Sequence, residues 1–300
     1  MKSEKLEVEL GNLRLRNPTL MAAGILGLTG SSLKRVWNSG AGGVVTKSVS
    51  KEPNEGYPGP NVVETPCGLL NAMGLPNPGT DEIKEEIDVA KKEDVTVVGS
   101  IYGGDEGEFS DLTERMKGIE VDAVELNLSC PHAGELSTIG RDATLTENMV
   151  KSCSGKNIPV WAKLPGNTNI PQTIEVAKAA EEAGAEAIVI TNTVPAMAID
   201  ARARKPILGN KKGGLSGRAI KPVGLRLVYE IYEEIDIPII GVGGIECGED
   251  LIEYFLAGAS AVEIGTGIMN RGMDIFEKVC EEAVQYLDGE NIKELTGKAH

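Results

Sequence analysis

The 300-residue sequence predicts a single-domain α/β protein, a parallel (β/α)8 or TIM barrel. Three observations carry that expectation. First, residues 39–47 (SGAGGVVTK), 182–191 (EAGAEAIVIT) and 256–265 (LAGASAVEIG) resemble one another. Each reads as a helix stopping at glycine, a short connection and an apolar strand, the αβ half of a βα unit. Second, eight short β-rich runs are apolar on both faces and alternate with amphipathic stretches. Third, polar and glycine residues gather at the C-terminal ends of those runs, where such barrels carry their chemistry.

In chain order the runs are residues 19–23, 44–47, 96–101, 123–127, 159–163, 187–191, 238–242 and 261–265. Strands without a polar face need cover on both sides, which a packed barrel interior and an outer ring of helices provide. The clearest helix lies after the fifth run. Pro171 suits its first turn, Ile174, Ala177 and Ala180 recur along one face, and Gly184 ends it. Residues 287–300 read as a C-terminal helix or tail of the one domain, 1–300. The strand ends then present Lys47, Ser100, Asn127, Lys163, Asn192 with Thr193, Gly243 with Gly244, and Gly265 with Thr266 on one rim.

Composition narrows the function classes. Hydrophobic residues at 41% and charged residues at 25% describe a globular chain rather than a disordered one. A net charge of -15 opposes a nucleic-acid surface. The exception is local: Arg202, Arg204, Lys205, Lys211, Lys212, Arg218 and Lys221 cluster without an acidic residue, either a solvated loop or a meeting point for an anion. No apolar run reaches the length of roughly 18 residues needed to span a membrane, so the expectation is a cytoplasmic protein. The five cysteines form no Cys-x-x-Cys pair, which argues against a disulfide framework or a metal site.

Several residues stand out as carriers of chemistry. Gly241 to Gly244 (GVGG) and Gly265 to Gly267 (GTG) follow the seventh and eighth strands, where bare backbone N–H groups hold phosphates; each alone is equally a tight turn. Lys47 and Lys163 end two strands, where an ammonium inside a pocket can neutralise an anion or form a Schiff base. The loop at 65–79 is dense in Gly and Pro yet apolar, so it reads as irregular backbone packed against something. Its Asn71 joins Asn127 and Asn192 as amides able both to donate and to accept. Cys130 lies in the stretch VELNLSCPHAG, residues 124–134, on the active rim; Cys153 and Cys280 read as helix-borne core thiols. His132 reads as a solvent-facing or structural histidine more than a catalytic one.

Residues 127–131 (NLSCP), 71–79 (NAMGLPNPG), 191–193 (TNT), 205–210 (KPILGN), 213–222 (GGLSGRAIKP) and 241–244 (GVGG) together resemble the dihydroorotate dehydrogenases. The resemblance is to their cytosolic, cysteine-using class and its NAD-linked type, and it spans nearly the whole chain. It implies one FMN per chain, held by Ala23, Lys47, Ser48, Ser100, Asn127, Lys163, Thr191, Gly217, Gly243, Gly244, Gly265 and Thr266. It implies dihydroorotate on Lys47, Asn71, Ala72, Met73, Gly74, Leu75, Asn127, Asn192 and Thr193, with Cys130 as the base, in pyrimidine (UMP) biosynthesis. It further implies a partner subunit carrying FAD and a 2Fe-2S cluster that passes electrons to NAD, around a homodimer core of a heterotetramer. Two alternatives stand beside it: an enzyme like the dihydropyrimidine dehydrogenases, which the Ser-Cys-Pro-His sequence also resembles, and a non-redox Schiff-base barrel.

Overall fold

The computed structural model describes residues 4–129 and 139–300. Parallel strands β1 (Thr19–Met21), β2 (Gly43–Val45), β3 (Val97–Ile101), β4 (Ala123–Asn127), β5 (Val160–Lys163), β6 (Ala187–Ile190), β7 (Ile239–Val242) and β8 (Ala261–Ile264) form a closed barrel, each beside its sequence neighbour and β8 beside β1. Seven lie within the runs read from the sequence, and β2 begins one residue before its run, at Gly43. Helices α1 (Gly30–Asn38), α2 (Thr80–Lys91), α3 (Glu106–Gly118), α4 (Ala143–Cys153), α5 (Ile170–Glu182), α6 (Lys221–Tyr232), α7 (Gly248–Leu256), α8 (Gly267–Arg271) and α9 (Ile275–Val284) complete the regular units.

Local chemistry explains the boundaries. Thr29, Asp105, Asp142 and Asn169 cap α1, α3, α4 and α5, each side chain accepting from a backbone N–H in the first turn. The glycines that made the repeats visible do one job three times. Gly40, Gly184 and Gly258, just past α1, α5 and α7, have φ of +97°, +96° and +115°, a region costly for a residue with a Cβ. The chain then turns directly into β2, β6 and β8.

Beneath the barrel, a hairpin of Val8–Leu10 and Leu13–Leu15 buries Leu10 and Leu15 completely. The C-terminal segment holds a 3-10 helix at Ile292–Leu295 and is tied to the end of α7 by Gly297 N–H to Phe255 O and Ala299 N–H to Leu256 O. The loop at 65–79 differs from its irregular reading, because its first part is a strand. Val62–Thr65, Gly68–Asn71, Gly213–Ser216 and Val194–Ala196 make a four-stranded antiparallel sheet. The basic connection likewise contains a short hairpin, Ile199–Asp200 with Lys205–Pro206. Composition hid these strands because their partners lie up to 147 residues apart, as in the bond from Ser216 Oγ to Leu69 O.

Register sets what faces inward. Glu125 and Asn127 share one side of β4, with Ser100 opposite Glu125 and Lys163 opposite Asn127. Outside β7, the buried Tyr254 of α7 fills the space over Gly241, where an added Cβ would lie 2.3 Å from its Cδ1, and donates its hydroxyl to Gly243 O at 2.9 Å. Tyr254→Phe is expected to cost about 1–3 kcal/mol by stranding that carbonyl. Urea unfolding measures it, and an unchanged midpoint would contradict the assignment.

Candidate active site

A cavity of about 660 Å³ opens at the C-terminal ends of the barrel strands. Its floor is ionic. Lys163 Nζ lies 2.6 Å from Glu263 Oε2 and 3.2 Å from Glu125 Oε2, with all three side chains buried. Burial opposes charge on Lys163, but the two carboxylates outweigh it and hold the amine above its ordinary pKa. For Glu263, burial and then the neighbouring Glu125 raise the carboxyl well above the usual range. Ser100 Oγ donates to Glu125 Oε1 at 3.0 Å and lies 2.9 Å from Ser48 Oγ, which accepts from Asn127 Nδ2 at 3.2 Å.

Above the floor, a chain of amides crosses from β4 to the end of β6. Asn127 Oδ1 accepts from Ser129 Oγ at 3.0 Å and from Asn192 Nδ2 at 3.2 Å, and Asn192 Oδ1 takes the Thr193 N–H at 2.7 Å. The segment Asn71 to Leu75 is held from two sides. Asn71 Nδ2 donates to Gly214 O at 3.2 Å, and Asn54 Nδ2 to Gly74 O at 3.0 Å. The buried Asn77 bonds Leu75 O, the Gly79 N–H and Ser50, so a loop without regular structure keeps one shape.

The opposite wall is nearly bare backbone. Gly217, Gly243 and Gly244 have φ of +91°, +132° and +68°. An added Cβ at Gly217 would stand 2.8 Å from Gly68 Cα, and at Gly244 2.6 Å from Lys221 Cβ. Glu246 ties the three segments of this wall together, accepting from Arg218 Nε and from Asn270 Nδ2 at 2.7 Å each. Backbone so exposed to a cavity can meet an anion closely.

Of the residues singled out from the sequence, Ala23, Lys47, Ser48, Asn71, Ala72, Met73, Gly74, Leu75, Asn127, Lys163, Thr191, Asn192, Thr193, Gly217, Gly243, Gly244, Gly265 and Thr266 all line this one cavity. Ser100 does not: it is fully buried one layer below, bonded to Ser48 and Glu125. Cys130 and His132 lie outside the described residues. Cys153 and Cys280 are buried on α4 and α9, and burial pushes the Cys280 thiol up to about 12. Sequence reasoning missed Glu125 and Glu263, which line the cavity as well. Their signal was a carboxylate inside an otherwise apolar strand, in VELN and in AVEIG.

Lys47 contrasts with Lys163. Its ammonium has no anionic partner among the described residues, and burial, then the Lys163 charge, lower its pKa. Below the folded pKa, where the amine is protonated in both folded and unfolded states, the full cost of that charge is present; it is relieved as pH rises through the folded pKa toward the unfolded value of about 10.4. Lys47→Met is therefore expected to raise the unfolding midpoint of the ligand-free protein at neutral pH, by an amount that shrinks as pH rises. A pH series of thermal melts checks this; a destabilised variant would contradict it.

Residues 5–287 match the family described as dihydroorotate dehydrogenase. The Methanocaldococcus jannaschii protein named dihydroorotate dehydrogenase B (NAD(+)), catalytic subunit, is 50% identical over 303 residues, covering 98% of each chain. Proteins of the same name from Thermoplasma acidophilum and Pyrococcus furiosus are 46% and 45% identical, again over 98% of each chain. In fold, the chain matches a crystal structure of DHODH from Eimeria tenella in complex with ferulenol at a TM-score of 0.86 and 21% identity, over 100% of this chain and 89% of that one. Matched along almost its whole length, and half identical to a full-length relative, the chain belongs to the dihydroorotate dehydrogenase family.

Proposed function

We propose that this protein is the FMN-bearing catalytic subunit of an NAD-linked dihydroorotate dehydrogenase, oxidising (S)-dihydroorotate to orotate in pyrimidine biosynthesis. The observation that carries this reading is its full-length similarity to proteins named as such catalytic subunits. The cavity suits FMN. Bare backbone at Gly217, Gly243 and Gly244 leaves no side chain between the wall and a phosphate, and the Lys163 floor offers polar groups to the edge of a ring. Ala23, Ser48, Thr191, Gly265 and Thr266 would complete the FMN site, while Ser100 would act through Ser48 from below.

When bound, FMN supplies the acceptor for the hydride from C6 of the substrate. Lys47 would attract the substrate carboxylate, being a cation without an anionic partner among the described residues. Asn71, Asn127, Asn192 and Thr193, with the backbone from Ala72 to Leu75, would hold the ring amides and carbonyls. Cys130 would take the proton from C5 as a thiolate; loss of that proton with the C6 hydride leaves the C5=C6 double bond of orotate, so atoms and electrons balance. Lys163 would stabilise negative charge arising above it. Electrons would leave through a partner subunit bearing FAD and a 2Fe-2S cluster, in a cytoplasmic heterotetramer built on a homodimer. Among the described residues, no helix is long and apolar enough to cross a membrane.

The Schiff-base alternative loses one of its two lysines, since Lys163 is held protonated between two carboxylates and a Schiff base needs a neutral amine. Lys47 would remain for it. An anaerobic absorption spectrum separates the readings: a flavin band bleached by dihydroorotate is expected. Bleaching by dihydrouracil alone would favour dihydropyrimidine chemistry, and a colourless chain would favour the Schiff-base barrel. In Cys130→Ala, FMN is expected to stay bound while reduction by dihydroorotate slows by about 100-fold or more. With the wild-type thiol, the rate should rise with pH toward a thiol pKa of about 8.5. Unchanged reduction in the alanine variant would remove Cys130 from the reaction.

A further inference from the structure

The floor holds two carboxylates where one would neutralise Lys163, and they are not equivalent. Glu125 has both oxygens occupied, Oε1 by Ser100 and Oε2 by Lys163. Glu263 uses Oε2 for Lys163 at 2.6 Å, whereas its buried Oε1 has no partner among the described residues. Glu125 therefore has two donors to stabilise it as an anion, and Glu263 only one. Two like charges around one ammonium in a buried site disfavour double ionisation, which the upward shift of Glu263 agrees with.

We propose that Glu263 is a positioning residue: from β8 it anchors the Lys163 ammonium, together with Glu125 of β4, at one place beneath the cavity, where the cation faces negative charge on the cofactor ring. Because a second negative charge is disfavoured there, it steers the lysine while cancelling less than a second unit of its charge. An ammonium on four rotatable carbons otherwise spends much of its freedom away from any one point. This inference rests on the flavin reading of the same cavity.

The test is a sulfite titration of the FMN-loaded protein, followed by loss of the flavin band, because sulfite adds negative charge to an oxidised flavin and its affinity reports the cation nearby. Lys163→Met is expected to weaken sulfite by about tenfold or more, the scale of one charge-assisted hydrogen bond. Glu263→Leu should weaken it severalfold by releasing the anchor, and Glu263→Asp, which draws the carboxyl back by one methylene, should do likewise if the leucine variant does not fold. Glu263→Gln, a neutral side chain of the same shape, should stay within about twofold of wild type. Tighter sulfite binding in Glu263→Gln would mean that Glu263 acts as a second anion and would overturn the proposal. So would wild-type affinity in Glu263→Asp and Glu263→Leu. An FMN-loaded protein that is bleached by dihydroorotate but indifferent to Lys163→Met would sink this inference and leave the flavin reading standing; a chain that takes up no FMN would sink both.

Discussion

Strand β8 lies beside β1, with Val262, Glu263 and Ile264 in register with Thr19, Leu20 and Met21. That closure is the constraint on which the cavity depends. In a closed ring of parallel strands every C-terminal end falls on the same rim, so residues far apart in sequence converge without any local reason to do so. Lys163 and Glu263 are separated by 100 positions and meet at 2.6 Å. An open sheet with the same strands would hold them on opposite sides of several neighbours.

Closure also divides the electrostatics between two lysines of the same intrinsic chemistry. Lys163 is buried between carboxylates and held cationic; Lys47 is set near it without an anion of its own among the described residues, and its charged form is disfavoured. A protein selected for stability alone would neutralise Lys47. Leaving it unpaired makes the cavity receptive to an anionic guest, and the cost is borne by a barrel whose core of buried aliphatic side chains runs continuously around the strands.

Rigidity in the irregular walls comes from buried polar side chains that serve backbone groups. Asn77 does this for the segment carrying Leu75 and Gly79, and Tyr254 for the carbonyl of Gly243. Each satisfies groups that a strand or helix would have satisfied, so loops too rich in Gly and Pro for regular structure still present a fixed surface.

The sequence by itself determined the barrel and most of the rim. Strands apolar on both faces, helices stopped by left-handed glycines such as Gly184, and the spacing of Lys47, Asn127 and Gly243 are local properties, and local properties are legible in a linear text. Tertiary structure decided the rest. The strand at Gly68–Asn71 exists because Gly213–Ser216 pairs with it, Ser100 lies below the cavity because Ser48 and Glu125 take its hydroxyl, and Glu125 and Glu263 become one ionic floor only when β4 and β8 face each other across the barrel. Pairing partners and burial are set by the whole ring of strands, and an isolated segment carries no record of which distant side chain will stand opposite it.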